Sequence, residues 1–251
     1  MDKLTFEHIQ TIGNVVNENE LYKHYHYPEM LIRYDSNFIE FKRMPTISEL
    51  LATEDFLIKY HKQYNQHHVK FVFPDNQKPD PEIMQYFAAN KYDVGFLELY
   101  AIQPKSFPQI SHRLDIEVSE VTDANLSEFL KLQYELDSEH GEKFAKEKVK
   151  LNKQQFEDES VMQVLAYYKG APAGTMNVIV SEDFVEIDNL SVVDSLQRKG
   201  IGSRLQRFVM DQFPNETIIL VAEGDDTPRE MYQKQNYQYS GFQYEAIKIE
   251  K

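Results

Sequence analysis

The stretch "VEIDNLSVVDSLQRKGIGSRLQRF", residues 185–208, constrains the fold of this chain more than any other. Val185 and Ile187 place apolar side chains at odd positions, whereas Leu190 and Val192 place them at even ones. A β-strand has a side-chain period of two, so one face stays apolar across that change only if an extra residue intervenes. A β-bulge near Asp188 and Asn189 restores the phase. It also bends the strand and leaves backbone amides unpaired. The bulge predicts a slot beside a second strand, Thr217–Ala222, whose unbroken apolar run fits burial on both faces.

The strand runs into "QRKGIGSRL". Gly200 and Gly202 allow a tight turn and close approach of a ligand to the backbone. The following helix is amphipathic, with Ile201, Leu205, Phe208, Val209 and Phe213 on one face. Its free amides and the positive end of its dipole point at the turn, and Arg198, Lys199 and Arg204 add charge. Such a turn is suited to an anion, a pyrophosphate in particular. It is neither G-x-x-x-x-G-K-[ST] nor G-x-G-x-x-G, which argues against an ATP or NAD site built on those motifs.

That basic turn sits in an acidic protein. The net charge is −14 over 251 residues, divided as −4 over residues 1–110 and −10 beyond. This argues against nucleic acid or an anionic membrane as the main partner and leans towards a cationic one. There is no cysteine, which excludes disulfides, thiolate metal sites and a cysteine nucleophile. The N-terminus "MDKLTFEHIQ" lacks the order of a signal peptide, and no apolar run approaches about 18 residues. A soluble, cytoplasmic protein is the expectation. His24 with His26 and His67 with His68 form two histidine pairs without carboxylates at ligand spacing, so no metal is expected.

The length allows two modest domains, and "QPKSFPQIS", residues 103–111, reads as a linker between them. The expected division is 1–106 and 112–251. Over the second part the pattern predicts strand 114–121, helices 123–140 and 142–160, a hairpin of 161–170 with 172–183, the bulged strand and its helix, strand 217–223, a short helix at 227–236, and strand 241–249. The order is β-α-α-β-β-β-α-β-α-β. The end of the first part echoes that of the second: "VKFVFPDNQKPDPEIMQYFAANKYDVGF" parallels "TIILVAEGDDTPREMYQKQNYQYSGF". "NFIEFKRMP" and "TISELLATEDFLIKYHKQYN" supply a matching strand and helix upstream. A duplication is the reading. The aromatic-rich "LYKHYHYPEM" is taken as a packed terminal segment.

Gln197-Arg198-Lys199-Gly200-Ile201-Gly202 resembles the [Q/R]-x-x-G-x-[G/A] motif of the GNAT superfamily of N-acetyltransferases, and "MYQKQNYQYSG" resembles its Y-x-K-x-G-F segment. Asn236 replaces the glycine there, a mild departure because Asn also tolerates a left-handed helix terminus. The resemblance spans residues 112–251. It implies an α/β (α+β) fold: a mixed, mostly antiparallel sheet with splayed central strands flanked by helices, here in tandem with a degenerate first copy. It implies acetyl-CoA as co-substrate, bound by Leu190, Ser191 and Val192 of the bulged strand and by Gln197, Arg198, Lys199, Gly200, Ile201, Gly202 and Ser203 of the turn.

The same resemblance implies direct attack of a primary amine, on a small molecule or peptide, upon the thioester. Tyr232 takes the place of the general acid: a phenol with a pKa of about 10 is protonated at neutral pH and can donate to a thiolate. Glu186 lies where some members carry a general base, with Asp188 on its face and ordered water as the other possibilities. The amide of Leu190 or Val192 is the implied oxyanion donor. Asp225 replaces an Asn that contacts the pantetheine arm in many members. Tyr134, Glu135, Glu139 and Phe144 border the acceptor side. Phe87 stands where Tyr232 does, so the first copy is expected to be silent. A non-catalytic acyl-CoA-binding sensor or structural module is the alternative.

Overall fold

The computed structural model describes residues 4–111, 113–224 and 228–249. The chain forms two units. The first comprises Met1–Leu99, Ala222–Arg229 and Tyr239–Lys251; the second comprises Tyr100–Val221 and Glu230–Gln238.

In the first unit, β1 (Asn14–Glu18) and β2 (Tyr22–His26) form an antiparallel hairpin. The segment read as a packed terminus is therefore a sheet strand: along β2, Tyr22, His24 and His26 are buried in alternation with half-buried residues. β3 (Phe38–Phe41) pairs antiparallel with β2 and parallel with β4 (His68–Val72), with Ile39 opposite Phe71. A parallel pair needs a crossover, and α1 (Ile47–Gln63) supplies it. Helix α1 buries Leu50, Thr53, Glu54, Leu57 and His61 on one stripe. Then come α2 (Pro81–Ala89) and β5 (Asp93–Ile102). Ile39, Phe41, Leu50, Leu57, Phe71 and Phe87 centre the core.

The second unit follows the predicted order. β6 (Ile116–Glu120), α3 (Leu126–Asp137), α4 (Glu142–Phe156), β7 (Val161–Tyr168), β8 (Ala171–Val180) and β9 (Phe184–Val192) are followed by α5 (Ile201–Gln212), β10 (Thr217–Glu223) and α6 (Pro228–Lys234). β6 to β9 pair antiparallel in chain order, and α5 carries the chain over to β10, parallel to β9. Both units are thus mixed, mostly antiparallel sheets with one parallel step and helical cover, as the sequence predicts.

The last strand, β11 (Gln238–Ile249), departs from the predicted division at 106–112. Its residues Glu245–Ile249 pair antiparallel with Val72–His68 of β4, and Tyr239–Lys251 belong to the first unit. An alternating apolar pattern announces a strand but not its partner. Here the partner is selected by Lys70 bonding Glu245 at 2.7 Å and Lys248 bonding Glu54 at 2.7 Å.

The two units share a turn as well as a strand-helix-strand step. Tyr92 and Tyr237 each donate their amide to the carbonyl five residues back, Phe87 and Tyr232, at 3.0 Å. The preceding residues, Lys91 and Asn236, are left-handed, with φ of 61° and 66°. This local identity is the structural form of the predicted duplication.

Candidate active site

Between β8 and β9 the pairs Asn177–Asp188 and Thr175–Ser191 enclose one residue on β8, Met176, and two on β9, Asn189 and Leu190. This is the predicted bulge, with Asn189 left-handed at φ 50°. The pairings assign the faces. Glu186, Asp188 and Ser191 stand opposite Ile179, Asn177 and Thr175, on the face covered by α3 and α4; Val192 stands opposite Gly174, on the face of α5. The apolar phase shift is thereby accounted for. On the other edge of β9, the parallel ladder runs from Thr217–Phe184 to Leu220–Ile187. It ends where the bulge begins, so the backbone edge of Asp188–Val192 turns away from that ladder.

The chain then makes one 3-10 turn at Asp194–Leu196, and Gln197 Nε2 donates to Asp194 Oδ1 at 2.9 Å. Arg198 and Gly200 are both left-handed, at φ 59° and 88°. Arg113, ion-paired with Asp115 at 2.8 Å, donates to the Lys199 carbonyl at 2.7 Å and braces the turn. The Lys199 ammonium lies 5.2 Å from the Tyr168 ring centre. Gly200 is the N-cap of α5, and no side chain caps the helix. A Cβ on Gly200 would meet nothing within 4 Å. The turn therefore presents uncapped helix amides, open space and cations together, which fits a phosphate group. The Arg204 Nε, one turn into the helix, is buried without a partner.

Sequence reasoning missed Gly174. A Cβ there would lie 2.9 Å from the Ser191 carbonyl oxygen and 3.2 and 3.3 Å from Ile201 and Leu205. Its absence lets α5 settle onto β8 beside the bulge. The signal was present, since an isolated glycine inside a strand marks close backbone approach.

The residue that follows α6 is tied to the first turn of α5: Gln235 Nε2 donates to Ser203 Oγ at 3.2 Å. Tyr232, 9% exposed, packs its ring 5.5 Å from Tyr100 and 5.4 Å from Tyr237. The Tyr237 hydroxyl donates to Gln206 Oε1 at 2.9 Å, and burial drives its pKa far up. Glu186 is 6% exposed and shares the α3/α4 face with half-exposed Asp188. Ser203 and Tyr232 thus belong to elements linked through Gln235, while Glu186 and Asp188 stand on the opposite side of the sheet from α5. Among the acceptor candidates, Glu135 and Glu139 are exposed beside Lys131 and His140, and Phe144 packs on the His140 ring at 5.4 Å. Asp225 lies outside the described residues.

The corresponding turn of the first unit is closed. Thr46 accepts from the Glu49 amide at 3.3 Å, and Glu49 Oε2 accepts from the Thr46 amide at 2.8 Å. This capping box puts a carboxylate where α5 leaves its amides open. Among the described residues, no group of three His, Asp or Glu is placed to hold a metal ion. No helix there is long and apolar enough to cross a membrane.

Residues 126–237 match the model of the acetyltransferase (GNAT) family. That segment is a GNAT acetyltransferase domain. The GNAT domain is preceded by residues 4–100, which match a domain of unknown function (DUF5613). A functionally unknown conserved protein from Staphylococcus epidermidis superposes over 99% of both chains, with 29% identity and a TM-score of 0.91. A GCN5-related N-acetyltransferase from Kribbella flavida matches 96% of this chain and 91% of its own, at 13% identity and a TM-score of 0.63. A tandem GNAT protein from the clavulanic acid biosynthesis pathway matches 84% of this chain and 75% of its own, at 10% identity and 0.54. The last two share the fold of this chain. None of the curated proteins compared matches the sequence.

Proposed function

We propose that the protein is an N-acetyltransferase that moves an acetyl group from acetyl-CoA to a primary amine by direct attack. The observation that carries this reading is the pairing of a bulge with an open turn: β9 leaves its β10 ladder at Ile187, and Gly200, the N-cap of the uncapped helix α5, follows eight residues beyond Val192, the last residue of β9.

In this reading the Gly200, Ile201, Gly202 and Ser203 amides hold the pyrophosphate, with Gln197, Arg198 and Lys199 around it. Leu190, Ser191 and Val192 offer the backbone groups freed by the bulge to the amides of the pantetheine arm. When bound, acetyl-CoA supplies a thioester whose C–S bond breaks as the amine nitrogen bonds the acetyl carbon. Glu186 or Asp188, alone or through water, takes the proton from the incoming ammonium. The Leu190 or Val192 amide donates to the oxygen that gains charge. Tyr232 gives its phenolic proton to the leaving sulfur.

The test is a thermal shift of the purified protein with acetyl-CoA, CoA, ATP and NAD at equal concentration, followed by thiol release with amines. Ligand at about 100 times its Kd stabilises a fold by about 2.7 kcal/mol, a shift of a few degrees. A rise with acetyl-CoA and CoA alone supports the reading. No rise with either, at concentrations far above any plausible Kd, overturns it.

A further inference from the structure

The face of the GNAT sheet beneath α3 and α4 carries polar side chains where a core is ordinarily apolar. Gln163 of β7 and Asn177 of β8 are direct cross-strand partners, and Asp188 of β9 is the next member of the same row. Thr175 stands one step along the same face and accepts a bond from Gln133 of α3 at 2.9 Å. Asn152 and Asn177 are fully buried and Gln163 is 2% exposed.

The bonds in this row engage one N–H of the Gln163 amide and one of the Asn177 amide and none of their oxygens. Gln163 Nε2 donates to the Asn152 backbone carbonyl at 2.9 Å, and Asn177 Nδ2 donates to Gln155 Oε1 at 3.5 Å. A backbone carbonyl only accepts, so the orientation of the Gln163 amide is fixed by its partner. Left over are the side-chain oxygens of Gln163, Asn177 and Asn152, together with Asn152 Nδ2, all buried and without a partner. At the end of α3, one turn beyond Gln133, Asp137 Oδ2 is buried and unpartnered as well. An unmade bond to a buried polar atom costs about 1–3 kcal/mol, so acceptors persist in such places where something donates to them. Four of the five atoms are acceptor oxygens. The row runs inward from half-exposed Asp188, beside the bulge, and a carboxylate at the mouth of a line of carbonyls selects a cation rich in N–H donors.

We propose that the acceptor amine bears a second ammonium group, as a diamine or polyamine does, and that Asp188, Asn177 and Gln163 receive that second end while the first is acetylated, which leaves Glu186 or ordered water as the base for the first. The inference rests on the transferase reading above. It goes beyond it by naming the substrate class and two specificity residues, Asn177 and Gln163.

The test uses the full chain with acetyl-CoA and follows thiol release with 1,4-diaminobutane and spermidine against n-butylamine and 2-phenylethylamine. The diamine and triamine are expected to exceed the monoamines in kcat/KM by at least about tenfold, the discrimination of a site that bonds a substrate N–H. Asn177→Ser and Gln163→Met are expected to narrow that ratio, with n-butylamine turnover little changed. Both variants are melted first; Gln163→Met conserves length and serves where Asn177→Ser does not fold. Equal turnover of diamine and monoamine overturns this inference alone. Binding of acetyl-CoA without transfer to any amine overturns the transferase reading and this inference with it.

Discussion

Tyr232 and Phe87 occupy the same place in matching turns, each accepting at its carbonyl the amide of a tyrosine five residues on, at 3.0 Å. The only chemical difference at that place is a hydroxyl. Phe87 is fully buried against Tyr92, with ring centres 4.7 Å apart, whereas Tyr232 packs against Tyr237 at 5.4 Å. Tyr232→Phe is therefore expected to fold and to bind CoA as the parent does, because the ring contacts survive. Its turnover is expected to fall by about 10²-fold or more, the worth of a positioned acid. Thiol-release kinetics beside a CoA thermal shift checks both halves. Unchanged turnover removes Tyr232 from the mechanism, and an inactive parent that binds CoA identifies a sensor instead.

Two glycines near the turn are needed for different reasons and should fail differently. Gly200 has open space but a left-handed backbone, so Gly200→Ala costs about 1 kcal/mol of strain, a few degrees in melting, while Gly200→Asn costs less. Gly174 is limited by space: the added Cβ sits 2.9 Å from the Ser191 carbonyl, and Gly174→Ala is expected to cost about 1–3 kcal/mol. Because Ser191 must then move, Gly174→Ala also raises the KM for acetyl-CoA. A Gly174→Ala variant that melts and turns over like the parent contradicts that close approach.

The bulge was legible because parity is a local property: Val185, Ile187, Leu190 and Val192 carry the shift in their own order. The α5 turn was legible for the same reason, since Gly200 and the amphipathic helix after it are adjacent in the chain. What escaped was non-local. β11 reads as a strand, yet its pairing with β4 depends on Glu54 and Lys70, some 180 residues away in sequence. Gln163 and Asn177 sit in largely apolar strands, and only the register of β7 on β8 brings them together. The spacing of His24 and His26 likewise does not tell that the inner face of β2 buries them among aromatic rings.

Those rings predict acid sensitivity in the first unit. His24, His61 and His68 are buried, with His61 4.5 Å from His68 and 6.4 Å from His24. Burial, reinforced for His24 and His68 by neighbouring His61, pulls all three from 6.5 to about 4. The folded values are depressed, so the contribution to stability is intact above pH 6.5 and is lost as the pH falls towards 4, where the unfolded chain binds protons that the fold refuses. One such ring contributes up to about 3 kcal/mol, and mutual coupling keeps the total below three times that. Half-buried Glu40, whose pKa is raised by desolvation, opposes the trend only near the bottom of this range. Urea midpoints followed by circular dichroism should decline steadily from pH 7 to 4.5. A flat profile contradicts the burial of neutral rings.

The last strand is held by a buried carboxylate. Glu54 accepts from Tyr86, from the Tyr92 hydroxyl at 2.6 Å and from the Lys248 ammonium at 2.7 Å, linking α1, α2 and β11. Burial alone would raise the Glu54 pKa, but the bonds from Lys248, Tyr86 and Tyr92 bring it below the ordinary value. Lys248→Met removes the only positive charge in that set and leaves the carboxylate two neutral donors. The expected loss is about 1–3 kcal/mol, the worth of a charged hydrogen bond to a buried group. Glu54→Gln in the same background is expected to recover part of it, since a neutral amide does not require the ammonium. Hydrogen exchange adds a local readout: amides of Ala246–Ile249, in the ladder with β4, should exchange faster in Lys248→Met and regain protection in the double variant. If the double variant is no more protected than Lys248→Met, the unpaired carboxylate is not the cause, and the ladder itself carries the strand.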